Sequence, residues 1–332
     1  MLSIIIPCYN EEAGLELFYN EISHIVANEL SQIDEIELLF IDDGSKDKTL
    51  PTLSHMTQSD SRVRYISFSR NFGKEAAIYA GMQHAQGDIV AIMDADLQDP
   101  PSLLPTLVEA VTSPSENMPA VDIARARRVN RAGEPPLRSL SARAFYRLMN
   151  HMTDMEIRDG ARDYQVMNRK VVDAILSMHE YNRFFKGLSS WVGYQTLWFD
   201  YVNEKRAAGE SKWGFGSLVR YGLDGILAFS TKPLMLAAGT GIICFTLAAL
   251  LIAVIVMRTL LFGDPVSGWP SLVCIILLVG GVQLLCTGIL GQYLAKTYLE
   301  TKRRPLYFIK ESNVDQHPRA DSIASQVNTR VS

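Results

Sequence analysis

Two carboxylates two residues apart, Asp94 and Asp96, close the apolar run Ile89-Val-Ala-Ile-Met-Asp-Ala-Asp-Leu-Gln-Asp-Pro-Pro101. In an extended chain such side chains point the same way and lie about 7 Å apart, so both can address one divalent cation over a diphosphate. Oxygen-only ligands suit Mg2+ or Mn2+. A second charged set, Arg125, Arg127, Arg128, Arg131, Arg138, Arg143 and Arg147, occupies a stretch without lysine. Its planar forks suit bidentate phosphate binding, and the same arginines suit a basic surface facing anionic lipid headgroups. Asp-x-Asp alone is often a solvated turn, so the elements that carry the pair must decide its meaning.

Those elements alternate. Leu2 to Pro7, Glu37 to Ile41, Val63 to Phe68 and Ile89 to Met93 read as short strands, with helices expected over Glu11 to Ala27, Lys46 to Met56 and Gly73 to Ala85. The pattern predicts an α/β fold with a mostly parallel sheet whose ligands sit beyond the carboxyl ends of its strands. Polar clusters fall at those ends: Pro7-Cys-Tyr-Asn-Glu-Glu12, Asp42-Asp-Gly-Ser45, Arg70-Asn-Phe-Gly-Lys74 and Asp94-Ala-Asp96. Further on, Ala144 to Met152 and Arg169 to Met178 read as helices and Gly193 to Tyr201 as a strand.

With 48% hydrophobic residues, the chain is too apolar on average for one ordinary soluble domain. The excess lies in two uncharged runs of twenty-four residues, Leu234 to Met257 and Ser271 to Leu294. Each makes a helix of about 36 Å, enough to cross a hydrocarbon core of about 30 Å. Arg220 and Lys232 precede the first run, while Lys296, Lys302, Arg303 and Arg304 follow the second. Only Arg258 lies in the loop from Arg258 to Pro270. The positive-inside rule then places both termini in the cytoplasm and the protein in the inner or plasma membrane with two spans. Ser217 to Phe229 is amphipathic and is expected at the membrane interface. The expected division is a cytosolic domain over 1–212, a juxtamembrane segment over 213–232, a membrane hairpin over 233–295 and a tail over 296–332, largely disordered after 311. Cys8, Cys244, Cys274 and Cys286 form no CxxC pair, so no disulfide framework or zinc site is suggested.

In order, IIIPCYNEE, IDDGSKDKT, SRNFGKEAAI, MDADLQDPP, RDYQV and AGESKW, followed by two spans, resemble the family 2 glycosyltransferases of the nucleotide-sugar-binding, Rossmann-like GT-A fold. The resemblance is closest to the polyprenyl-phosphate type, which includes bactoprenol glucosyltransferases and dolichyl-phosphate mannose synthases. It implies metal-dependent, inverting transfer of a hexosyl unit to polyprenyl (undecaprenyl) phosphate, with UDP-glucose first among donors and UDP-N-acetylhexosamine or GDP-mannose behind it. It implies that Pro7, Tyr9, Glu11, Asp43, Lys74, Asp94 and Asp96 face the nucleotide sugar, with Asp94 and Asp96 on the metal.

Asp163 matches the family's candidate catalytic carboxylate, and Asp159 is the second choice. The usual segment reads Asp-Phe-Arg-Leu, so Tyr164 and Gln165 are departures. Asp43 can accept the imide N–H of uracil, and Asp99 precedes two prolines as a helix cap. Gln98, Arg127, Arg138, Arg206, Ser211 and Lys212 are expected at the acceptor phosphate or diphosphate. Related proteins imply a homo-oligomer, a separate flippase, and a downstream glycosyltransferase that uses the lipid-linked sugar for cell-envelope glycans. Nothing points to nucleic acid. The rivals are a processive polysaccharide synthase, whose Gln-x-x-Arg-Trp signature is absent at Gln195-Thr-Leu-Trp198, and a catalytically silent membrane scaffold or nucleotide-sugar sensor.

Overall fold

The computed structural model describes residues 1–113, 121–129, 158, 160–202, 230–262 and 268–314. The expected helix over Ala144 to Met152 and the amphipathic segment Ser217 to Phe229 lie outside the described residues.

Among the described residues eight strands form one sheet: β1 (Leu2–Cys8), β2 (Ile36–Asp42), β3 (Val63–Phe68), β4 (Ile89–Ile92), β5 (Ile123–Arg128), β6 (Ala161–Asn168), β7 (Thr196–Tyr201) and β8 (Ile309–Ser312). Their order across the sheet is β7-β5-β6-β4-β1-β2-β3-β8. The block β4-β1-β2-β3 is parallel, as expected, whereas β6 runs antiparallel to both β4 and β5. This reversal matters because it delivers the first residues of β6 to the carboxyl rim of the parallel block. Ile92 pairs with Gln165, so Tyr164 and Asp163 continue past the end of β4 beside Met93 and Asp94.

Alternation sorts the parallel strands into two cores. Ile4, Ile6, Leu38 and Phe40 face α1 (Leu15–Glu29), where Leu15, Phe18, Ile22, Ile25 and Val26 recur at helical spacing, and Phe18 meets Phe40 edge to face. Ile5, Leu39, Ile41 and Ile66 face the opposite side with α3 (Lys74–His84) and α5 (Arg169–Leu176). The helix α3 packs so closely that a Cβ at Gly81 would lie 2.2 Å from the Ile5 side chain. Thr49–Ser59 (α2) and Leu104–Thr112 (α4) complete the connections, and Asn168 caps α5 by accepting the Val171 N–H.

The apolar runs become α7 (Lys232–Phe262) and α8 (Trp269–Thr301), so the helices take up about half of the stretch expected as a loop. Both are long and apolar enough to cross a membrane, and their described apolar side chains are largely exposed. They touch each other, with Cys286 Sγ donating to the Ala237 carbonyl at 3.4 Å and Tyr293 reaching the Ser230 carbonyl at 2.5 Å.

The stretch from residue 296, expected as a tail, is ordered as far as Val314, and 315–332 lie outside the described residues. After α8 the chain returns to the sheet, where β8 pairs antiparallel with β3. Asn313 accepts the Tyr65 N–H at 2.6 Å and Tyr65 donates its hydroxyl to Glu311 at 2.6 Å. Tyr307 stacks on Phe68 with ring centres 4.8 Å apart. A four-residue edge strand reading Ile-Lys-Glu-Ser has no apolar alternation to reveal it, because it covers the sheet's open edge and faces solvent.

Candidate active site

The strand-end loops are wired to one another. Asn10 donates its N–H to Ser45 Oγ at 2.9 Å and accepts the Lys46 N–H at 2.8 Å, while the Glu11 N–H goes to Thr49 Oγ1. Gly44, with φ of +67°, lies so close to the next loop that a Cβ would sit 2.4 Å from the Arg70 backbone. Asp42 closes β2 and accepts from Ser67 Oγ at 2.6 Å and from the Ser45 N–H at 3.0 Å. Pro7, in β1 opposite Ile41, and Tyr9 and Glu11 beyond it are half-buried on this rim.

At the centre stands Lys74, the first residue of α3. Its Nζ lies 2.7 Å from Asp94 Oδ1 and 2.5 Å from Asp163 Oδ2. Lys74 is 37% exposed, Asp94 26% and Asp163 14%, so the cluster is sunk in the rim but open above the lysine. Lys186, from α6 (Phe185–Trp191), approaches Asp163 Oδ1 at 4.0 Å from the other side. Burial opposes charge on both partners, but the attraction prevails. The Asp163 carboxyl is held well below the usual range by Lys186, Lys74 and Arg162, and the Lys74 ammonium well above its own by Asp163 and Asp94.

Beneath the Asp94-Ala-Asp96 turn lies a second network. Asp99 is 2% exposed, accepts the Tyr201 hydroxyl at the end of β7, and meets Arg162 Nε at 3.3 Å. Burial raises the Asp99 carboxyl above its ordinary pKa, against the pull of Arg162. Asp99 is therefore a buried tie between β7, β6 and the Asp96 loop, not the helix cap its place before two prolines suggests. Arg162 also donates to Gln98 Oε1 at 3.1 Å, which engages the side chain expected at the acceptor phosphate or diphosphate. Leu97 has φ of +55°, a conformation costly for a branched side chain and one that this network holds in place. Asp96 Oδ1 accepts the Gln98 N–H at 3.1 Å.

Side chains expected at ligands also have partners within the protein. Asp43 accepts the N–H groups of Phe72 and Gly73 at 2.6 and 2.9 Å, so its carboxylate fixes the loop that leads to Lys74. Burial pushes its pKa to about 6 despite those bonds. Arg127, expected at a phosphate, forks onto Asp200 of the neighbouring strand with two 2.6 Å bonds. Arg125, counted in the basic stretch, is buried, donates to Ser190 and to the Ser189 carbonyl, and lies over Trp198. Asp159, Arg138, Arg206, Ser211 and Lys212 lie outside the described residues.

No group of three or more His, Cys, Asp or Glu is gathered as a metal cage among the described residues. Asp94 and Asp96 supply oxygen alone, which fits a hard cation that completes its shell with phosphate oxygens and water. Sequence reasoning missed Lys186, Arg162 and Glu75. Arg162 stands beside Asp163 in the quoted RDYQV segment, but Lys186 carries no local signal.

Residues 3–176 match the family model described as glycosyl transferase family 2. The chain belongs to that family. The transferase is 40% identical to the SfII prophage-derived bactoprenol glucosyl transferase of Shigella flexneri over 94% of this chain and 98% of the relative. It is 38% identical to the prophage bactoprenol glucosyl transferase homolog of Escherichia coli (strain K12), over 93% of this chain and 98% of that one. Among solved structures, glucosyl-3-phosphoglycerate synthase from Mycobacterium tuberculosis, crystallised with Mn2+, UDP and phosphoglyceric acid, is 20% identical. It shares 68% of this transferase and 76% of its own chain at a TM-score of 0.45.

Proposed function

We propose that the transferase moves a glucosyl unit from UDP-glucose to polyprenyl (undecaprenyl) phosphate at the cytoplasmic face of the membrane, with inversion. The observation that carries this reading is the cluster of Asp163, Lys74 and Asp94 on the rim of a sheet whose chain continues into two exposed apolar helices. An acceptor with a long hydrocarbon chain is confined to a bilayer, and the hairpin keeps the rim at that surface. The names of the bactoprenol relatives support the acceptor and the glucosyl unit, and the flanking basic residues support the cytoplasmic placement.

In this reading the bond from the sugar C1 to the donor phosphate breaks as a bond from C1 to an acceptor phosphate oxygen forms, and UDP leaves. Asp94 and Asp96 would hold a divalent cation, which when bound neutralises charge developing on the leaving diphosphate. Lys74 sits where it can add a fixed positive charge to the same diphosphate. Asp163 is held so firmly ionised that it is a weak proton acceptor. An acceptor phosphate with a second pKa near about 6 is largely ionised at neutral pH and needs no strong base. Asp163 therefore orients the acceptor and its cationic neighbours instead of deprotonating.

The test is a panel of UDP-glucose, UDP-N-acetylhexosamines and GDP-mannose, each radiolabelled, with undecaprenyl phosphate and Mg2+ or Mn2+. One sugar transferred from UDP-glucose into the lipid fraction is expected, lost with EDTA and lost in a folded Asp96→Asn variant. A polymeric product refutes the reading, and near-normal turnover by Asp96→Asn removes the metal assignment.

A further inference from the structure

The end of α8 binds the turn of backbone that precedes Lys186. Lys296 and Glu300 stand four residues apart and so share a helix face. Glu300 accepts the Tyr181 N–H with both oxygens, at 2.9 and 3.0 Å, and the Asn182 N–H at 3.3 Å. Lys296 Nζ donates to Asn182 Oδ1 at 2.9 Å. Within the same segment Arg183 donates to the Met178 carbonyl at 2.7 Å and lies 4.4 Å over the Tyr79 ring of α3.

That segment runs directly into α6, whose second residue is Lys186. Glu75, next to Lys74 on α3, accepts the Phe185 N–H at 2.8 Å. The approach of Lys186 to Asp163 is thus set from two sides, by α3 through Glu75 and by the apolar helix through Glu300 and Lys296.

We propose that Glu300, aided by Lys296, is a positioning residue for transfer: it fixes the Tyr181–Asn182 turn and thereby holds Lys186 against Asp163. The proposal rests on the assignment of Asp163 to the reacting site. Charge-assisted bonds from two consecutive N–H groups to one carboxylate are strong and directional, and displacements of about 1 Å at a reacting centre change rates severely. The inference gives the apolar helix a second task besides anchorage: part of the active-site geometry is built on it.

Glu300→Ala is expected to lower kcat about tenfold while KM for the nucleotide sugar stays within about twofold. Glu300→Gln, which keeps one acceptor oxygen, should recover most of the rate. The deciding measurement is a double-mutant cycle with Lys186→Ala. If Glu300 acts through Lys186, the double variant is no slower than Lys186→Ala alone. Losses that multiply, or wild-type kcat in Glu300→Ala, overturn the proposal. Should Glu300→Ala fail to give a monodisperse protein in detergent, Asn182→Ala, which removes the Lys296 bond, enters the same cycle with the same two outcomes. All variants are compared with wild type on whichever donor and acceptor the panel shows to be turned over. A wrong acceptor assignment therefore leaves the comparison intact, and unchanged rates on a working acceptor count against the positioning role alone.

Discussion

Glu37 at the amino edge of the parallel block and the pair Asp94 and Asp163 at its carboxyl edge are held in different ways. At the amino edge Glu37, 3% exposed, accepts from Ser3 Oγ, from the Gln86 N–H at 2.7 Å and from Arg64 at 3.4 Å. Ser3 Oγ in turn accepts the Gly87 N–H at 2.7 Å. These donors belong to neighbouring strands and turns and close over the carboxylate. At the carboxyl edge Asp94 and Asp163 share one lysine that is more than a third exposed. A buried acid closed over by backbone, hydroxyl and one distant arginine donor is a joint, whereas acids held by a lysine open to solvent can exchange partners when a ligand arrives.

The widest gap is expected between Asp163→Asn and Glu37→Ala. The first should lower kcat on the order of a thousandfold in a protein that still folds, though with a lower unfolding midpoint, since the carboxylate's ion pairs are lost. The second should cost about 1–3 kcal/mol of stability, because buried donors lose their acceptor, and leave kcat within about twofold. Initial rates and denaturation in detergent read both, and a rate loss in Glu37→Ala comparable to that in Asp163→Asn would break the contrast.

A smaller effect sharpens it. Burial, with Asp163 nearby, raises Glu75 from 4.5 to about 7, against the Phe185 N–H and Lys74. The folded protein then keeps a proton that the unfolded chain has released. This group's contribution to stability is complete below about 4.5 and declines as pH rises through about 7. Thermal midpoints between pH 5 and 8 should fall more steeply for wild type than for Glu75→Gln, and parallel curves would remove the coupling. The smallest effect is expected at the outer strand. Asn313→Ala loses the bonds to Tyr65 and to the Val63 carbonyl, costing about 1 kcal/mol. It should appear as faster hydrogen exchange over 309–314, and unchanged exchange would show that the pairing holds without that side chain.

Much of the carboxyl edge was legible, since each loop follows its strand directly. Apolar runs announce the strands of a parallel block, and polar residues at Asp43, Lys74 and Asp94 must then fall on one rim. What escaped was every partnership between residues distant in sequence. Asp99 looks like a cap because Pro100 follows it, but Tyr201 and Arg162 take its carboxylate. Arg127 reads as phosphate-seeking until β7 places Asp200 beside it. Lys186 comes to Asp163 from α6 and Glu300 binds the turn before that helix, contacts that no local pattern encodes. The apolar helices were plain from composition, but the strand that follows them was not, being short, polar and at an edge.

The pairing of β8 with β3 also orders the birth of the molecule. Residues 309–312 leave the ribosome after both long helices, and their partner strand is made some 240 residues earlier. Until then β3 offers an unpaired edge, a site for misassociation with other chains. The catalytic sheet is finished only once the hairpin has been synthesised and its far end has come back to the same surface. Were one long helix to cross a membrane and the other not, β8 would be cut off from β3, so this pairing requires that both cross or neither does.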